Sequence, residues 1–152
     1  MTNKAKTKFF IIIAAVAFVA ILTNYIFSEV VTVHGNLIKR VTVNGILVKA
    51  ELVQSEDKIE KGLAGRVELP DRRGMLFQMP EDDEQHFWMK GMLIPIDIIW
   101  IENGRVTGCE KNIQPSDPRV FNSPSYAGYV LEVPAGFCDA NQIKVNDEFK
   151  MY

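Results

Sequence analysis

The sequence predicts a mostly-β protein: a compact sandwich or barrel-like domain with one or two short helices, preceded by an N-terminal transmembrane helix. Three observations carry this. An unbroken apolar run fills Phe9 to Leu22, and no charge occurs from Phe9 to Ser28. Beyond it come many short apolar segments separated by turn residues, the pattern of an all-β domain. Two Asn-Gly pairs, Asn44-Gly45 and Asn103-Gly104, stand between such segments, and this pair is the strongest short hairpin signal.

The apolar run comes first in the chain. As a helix, Phe9 to Phe27 spans ~28 Å, close to the ~30 Å hydrocarbon core of a bilayer. Lys4, Lys6 and Lys8 precede it with no acid to balance them. Positive residues stay inside, so the N-terminus is placed in the cytoplasm and the rest outside. The alternative is secretion after signal cleavage. Its best cleavage match, Ala15-Val16-Ala17, would cut within the apolar run, which favours an uncleaved signal anchor. The expected layout is a lysine-rich tip and anchor over 1–28, a stalk or extra strand over 29–40, and a β-rich extracytoplasmic domain over 41–152. Of the 152 residues, that outer part keeps 14 of 17 basic residues and all 19 acids, a net charge of −5. No basic block remains, which argues against nucleic acid as a partner.

A short repeat follows the anchor. Val31 to Lys39 is echoed by Val41 to Lys49, with six of these nine positions matching at a spacing of ten. Each copy reads as strand, glycine turn, strand. Ser55 to Gly62 reads as one short helix. Ser55 can cap it, Glu56 and Asp57 face the positive end of its dipole, and Gly62 supplies the left-handed stop. Met75 to Phe77 is apolar, and Glu81 to Glu84 form an acidic turn. Phe87 to Met89 and Ile96 to Ile101 read as strands, with Pro95 at the start of the second, where a missing amide is tolerated. Asn103-Gly104 turns the chain into a strand over Arg105 to Cys109. A long polar loop is expected from Glu110 to Ser125, then a strand at Tyr129 to Val133. A helical turn within Gly136 to Gln142 and closing strand material in Ile143 to Met151 complete the domain. Alternating βα units are missing, which argues against a parallel α/β sheet.

Several of these segments, in this order, resemble the domain of unknown function 192 family over about Val41 to Met151. The matching blocks are Gly62-Leu63, Gly74-Met75-Leu76-Phe77, Phe87-Trp88-Met89-Lys90, Ile94-Pro95-Ile96-Asp97-Ile98, Tyr129 to Glu132 and Ala135-Gly136. The chain departs at Gly91-Met92, where the family usually carries Asn-Thr, and at Ala64, where it usually carries Met. The resemblance implies a compact mostly-β domain, often secreted or anchored, and supplies no reaction.

The candidate site centres on 86–97. Alternation puts Asp97 on one face of its strand with Ile99 and Ile101. A carboxylate among apolar side chains must be paired or hydrogen-bonded. It therefore reads as structural, held by loop amides or by Lys90. The functional alternative is a site floor of Asp97, Lys90 and His86. His86, Trp88 and Lys90 share one face of the preceding strand, a plausible recognition patch. With Asp97 and Tyr126 they form the candidate binding set, for an unknown small-molecule, glycan or protein ligand. Glu132 reads as a solvent-facing or ion-paired strand residue.

Met75, Met79, His86, Met89 and Met92 fall within 18 residues. Thioether and imidazole ligands suit Cu(I), so Met79, His86, Met89 and Met92 are metal candidates. Methionine as core filler is the simpler reading, and no metal or other cofactor is assigned. Cys109 and Cys138 read as two small buried hydrophobes. Their alternative is a disulfide closing a loop of about 30 residues, adding ~3 kcal/mol. No hydrolase or phosphate-loop motif occurs. The sequence thus points to a non-catalytic binding or envelope-associated module. An enzyme acting on an envelope component through Asp97, Lys90 and His86 is the runner-up, and soft-metal binding the third reading.

Overall fold

The computed structural model describes residues 3–28, 32, 34–81 and 83–152, with side chains of the first helix described over 10–23. The chain divides into two units, Met1–Asn36 and Leu37–Tyr152. The first holds α1, Asn3–Ser28. Its described apolar side chains, among them Phe10, Val16, Phe18 and Ile21, are exposed. The helix of the expected anchor is present, but among the described residues no helix is long and apolar enough to cross a membrane. The side chains of Lys4, Lys6 and Lys8 lie outside the described residues, as do Val31 and Val33 of the expected extra strand.

The second unit is built on nine strands. They are β1 Leu37–Val43, β2 Ile46–Val53, β3 Arg73–Gln78, β4 Glu84–Trp88, β5 Ile96–Glu102, β6 Arg105–Ile113, β7 Val120–Tyr126, β8 Tyr129–Pro134 and β9 Phe149–Met151. Two short helices join them, α2 Glu56–Lys61 and α3 Phe137–Ala140. Seven strands form one sheet in the order β6-β5-β8-β3-β2-β1-β9, and β4 and β7 form a separate ribbon. The sheet curls into a half-barrel. Glu148 and the first residue of β9 bond back to the β5–β6 hairpin, through Arg105 opposite Glu148 and the Phe149 amide on the Gly104 carbonyl.

Local chemistry sets the hairpins. Asn44 and Gly45 both take positive φ, as do Asn103 and Gly104, the requirement of a two-residue turn whose twist matches the strands. One pairing departs from expectation. β2 and β3 run parallel, from Lys49 opposite Arg73 to Val53 opposite Phe77. The connection through α2 makes this the one crossover unit among the described strands. The long loop expected over Glu110 to Ser125 shrinks to 114–119. β6 continues to Ile113, and β7 already pairs with β4 from Val120 opposite Trp88. Pro115 and Pro118 are confined to the connection, and Pro124 lies in a two-stranded ribbon, where a lost amide is tolerated.

The sheet buries apolar side chains on both faces. On one, Met75, Phe77, Ile98, Trp100 and Val130 pack under the β4–β7 ribbon with Phe87, Met89 and Met92. On the other, Leu76, Ile99, Ile101, Leu131 and Val133 pack with Phe137, Cys138 and Phe149. Every residue of β5 from Ile96 to Ile101 is therefore buried. This explains the most apolar run of the domain: it is a strand covered on both sides.

Candidate functional site

β4 alternates strictly. Glu84, His86 and Trp88 face out while Gln85 and Phe87 face in. Met89 continues the buried side and Lys90 the exposed one. Side chains of both faces of β4, with α2 and the sheet beneath, line a cavity of about 80 Å³. α2 and its stop contribute Glu60, Lys61 and Leu63; the ribbon side contributes His86, Trp88, Lys90 and Met92. Gly62 ends α2 at positive φ, which lets the chain turn so that Leu63 is buried. The two walls are tied by the Gly65 amide, which donates to the Gly91 carbonyl at 2.9 Å.

The two departures from the family pattern meet in this wall. A Cβ on Gly91 would lie 3.3 Å from the Ala64 Cβ, and Gly91 has positive φ. The small pair allows the close approach. Trp88 stands at the mouth, 46% exposed. The His86 ring bonds the Asn122 side chain through Nδ1 at 2.7 Å.

Glu132, on β8, lines the same cavity. It lies opposite Met75 on one side and Ile98 on the other, so cross-strand pairing puts it on the sheet face beneath the ribbon. The residue is 5% exposed. Its Oε2 has no hydrogen-bond partner among the described residues. Burial disfavours its charged form and pushes the carboxyl up to about 8. At neutral pH Glu132 is thus an acid with a proton to donate. This corrects its reading as a solvent-facing or ion-paired residue. β8 is an interior strand with both faces covered, which sequence order alone does not reveal. One signal was present: a lone acid in the otherwise apolar Tyr129–Pro134.

Asp97 lies elsewhere. It is fully buried on the opposite face of the sheet. Oδ1 accepts the backbone amides of Asn112 at 2.7 Å and Gly136 at 3.1 Å, and Oδ2 that of Cys138 at 2.8 Å. Its partners are backbone amides of β6 and of the start of α3, neither a loop nor Lys90. The floor of Asp97, Lys90 and His86 is not assembled, because Asp97 and the cavity are separated by the sheet. Asp97 therefore leaves the candidate binding and catalytic sets. Tyr126 is exposed at the other end of the ribbon, opposite Glu84, beside a shallow depression with Glu102 and Ser125. It does not join Trp88.

Cys109 and Cys138 form a disulfide across 29 residues of sequence, so they are not two separate packed thiols. With Asp97 they are the one group of His, Cys, Asp and Glu among the described residues close enough to share an ion, and both sulfurs are spent on each other. Of the soft-metal candidates, Met79, His86 and Met92 line the cavity. Met89 is 3% exposed in the core, on the side of the strand away from His86.

Comparison with known proteins agrees with this architecture. The model of the DUF192 family, described as Uncharacterized ACR, matches residues 39–151. A protein of unknown function from Novosphingobium aromaticivorans DSM 12444 is 32% identical, with a TM-score of 0.76 over 80% of this chain and 90% of that one. A putative transcription regulator from Sinorhizobium meliloti 1021 is 25% identical, with a TM-score of 0.72 over 76% of this chain and 95% of that one. No curated protein matches.

Proposed function

Since the chain belongs to the DUF192 family, whose description names no reaction, we propose that it is a non-catalytic binding module whose site is the cavity beneath Trp88. The observation that carries this is the joint lining of one cavity by an exposed aromatic ring, an apolar wall and a buried acid with an unpartnered oxygen. Concave, mostly apolar sites with a few convergent polar groups are the usual form of ligand pockets. An apolar cavity of about 150 Å³ admits a benzene ring. One of about 80 Å³ accepts a smaller group. The ligand therefore inserts a substituent and lays its body against Trp88. His86, Lys90, Glu60 and Lys61 form a polar rim.

The second part of the proposal is location. The uncharged stretch from Phe9 to Ser28, with Lys4, Lys6 and Lys8 ahead of it, supports a signal anchor that holds the domain outside the cytoplasm. The Cys109–Cys138 disulfide is in keeping with an oxidising compartment.

Each part has a test. With 5-fluorotryptophan in the full chain, the exposed Trp88 and the buried Trp100 give two fluorine signals. A set of small polar fragments is expected to shift the Trp88 signal and leave Trp100 in place; a Trp88 signal unmoved by every fragment sinks the module reading. Trypsin added to intact spheroplasts is expected to remove the domain, and full protection until lysis sinks the topology.

A further inference from the structure

The cavity is more specific than its size suggests. Its wall carries Leu63, Phe77 and Met92, all buried, and one buried acid, Glu132, while Glu60 lies exposed at the rim. A bare hydroxyl would leave the apolar wall uncovered. A bare methyl would leave the Glu132 carboxyl without a partner in the cavity, and an unmade buried hydrogen bond costs about 1–3 kcal/mol. A group with both a methyl and a strong acceptor oxygen satisfies both requirements.

Charge narrows the choice further. The titratable groups at the cavity are Glu60 and Lys61 from α2, His86 and Lys90 from β4 and the residues after it, and Glu132 from β8; β3 and the residue after it present only Phe77 and Met79. Lys61 and Lys90 disfavour a cation. An anion could pair with these lysines only at the exposed rim, and inserted past it would set its charge against buried apolar side chains, which is expensive. A neutral acceptor avoids both costs.

We infer that the cavity takes the acetamido group of an N-acetylated amino sugar, with the Glu132 carboxyl donating to the amide oxygen and the sugar ring resting on Trp88. The inference rests on the binding-module reading and names its ligand class. The amide methyl meets Leu63, Phe77 and Met92. The ring cannot enter a space of about 80 Å³, and its flat C–H face suits the exposed indole at the mouth. An acetylated lysine side chain could offer the same group, but a flexible chain has no flat face for Trp88. The glycan is therefore favoured over the peptide.

The test uses the full chain in detergent, labelled with 5-fluorotryptophan, and three probes. These are the trimer of N-acetylglucosamine, the glucose trimer of the same linkage, and a short peptide with one acetyl-lysine. The acetylated trimer is expected to shift the Trp88 signal and to bind at least about tenfold more tightly than either of the others, the worth of one buried hydrogen bond. Its affinity is expected to fall about tenfold or more from about pH 6 to about pH 9, as Glu132 loses the donated proton. Glu132→Gln keeps a donor, so it should retain binding and flatten that profile, which separates Glu132 from His86. Glu132→Leu should lose at least about tenfold in affinity, with an unmoved Trp100 signal showing that the core is intact.

Equal binding of the glucose trimer, tighter binding of the peptide, or unchanged affinity in Glu132→Leu would overturn the acetamido assignment. So would failure of the acetylated trimer to move Trp88. If fragments or the glucose trimer still move Trp88, the binding module survives and only its ligand class is wrong. If nothing does, both fall.

Discussion

Asp97 and Glu132 stand on neighbouring strands of one sheet and point to opposite sides of it. Val133 lies opposite Asp97, and Ile98 lies opposite Glu132. Both residues are buried, yet their surroundings are inverse. Asp97 collects three backbone amides, whereas Glu132 Oε2 collects no partner among the described residues. The same chemical group thus serves as a clamp on one face and as an open valence on the other.

Asp97→Asn is expected to destabilise the domain by about 3 kcal/mol, since an amide nitrogen would face a backbone N–H in a buried site. Urea unfolding should show a lower midpoint with an unchanged slope. A loss well below about 1 kcal/mol would show that the carboxylate is not the clamp described.

Glu132 makes stability depend on pH in a definite direction. Its carboxyl is raised from 4.5 to about 8 by burial, so the folded protein holds a proton that the unfolded chain releases. This contribution is full below about 4.5, falls with rising pH by about 1.4 kcal/mol per unit, and is gone above about 8. Glu132→Gln removes it. Melts across that window should therefore show the variant gaining on the parent as pH rises, and parallel curves would refute the assignment.

Reduction of the Cys109–Cys138 bridge is expected to lower stability by about 3 kcal/mol through the freed loop. The Cys138 amide also donates to Asp97. Cys138→Ser and Asp97→Asn should consequently couple in a double-mutant cycle, since groups in contact are not additive. Strict additivity would mean that bridge and carboxylate act separately.

The two tryptophans should behave oppositely. Trp100 is fully buried, so Trp100→Ala is expected to cost about 3–5 kcal/mol. Trp88 is 46% exposed, so Trp88→Ala is expected to change stability by less than about 1 kcal/mol while weakening binding of the acetylated trimer in a calorimetric titration. A large stability loss at Trp88 would mark it as a packing residue rather than a recognition one.

Much of the fold was legible because its determinants are local. The Asn44-Gly45 and Asn103-Gly104 turns require positive φ and take it. The alternation of His86, Phe87 and Trp88 fixes which side chains face out. Other features were not. The parallel pairing of β2 with β3 is set by a crossover whose helix is only six residues long, too short to announce a βα pattern. β6 and β7 reach further than the polar composition of 110–125 suggests, since pairing with β5 and β4 supplies what propensity does not.

By itself, the sequence determined the periodicities: an uncharged stretch over 9–28, short strands, their turns, and the outward face of the Trp88 segment. These follow from neighbours a few residues apart. Only the tertiary structure decided which acid was sealed and which lined a cavity. Asp97 receives amides from residues 15, 39 and 41 positions away. Glu132 gains its setting from strand order, β8 lying between β5 and β3. Burial and hydrogen bonding belong to what covers a strand, and the covering elements are distant in the chain.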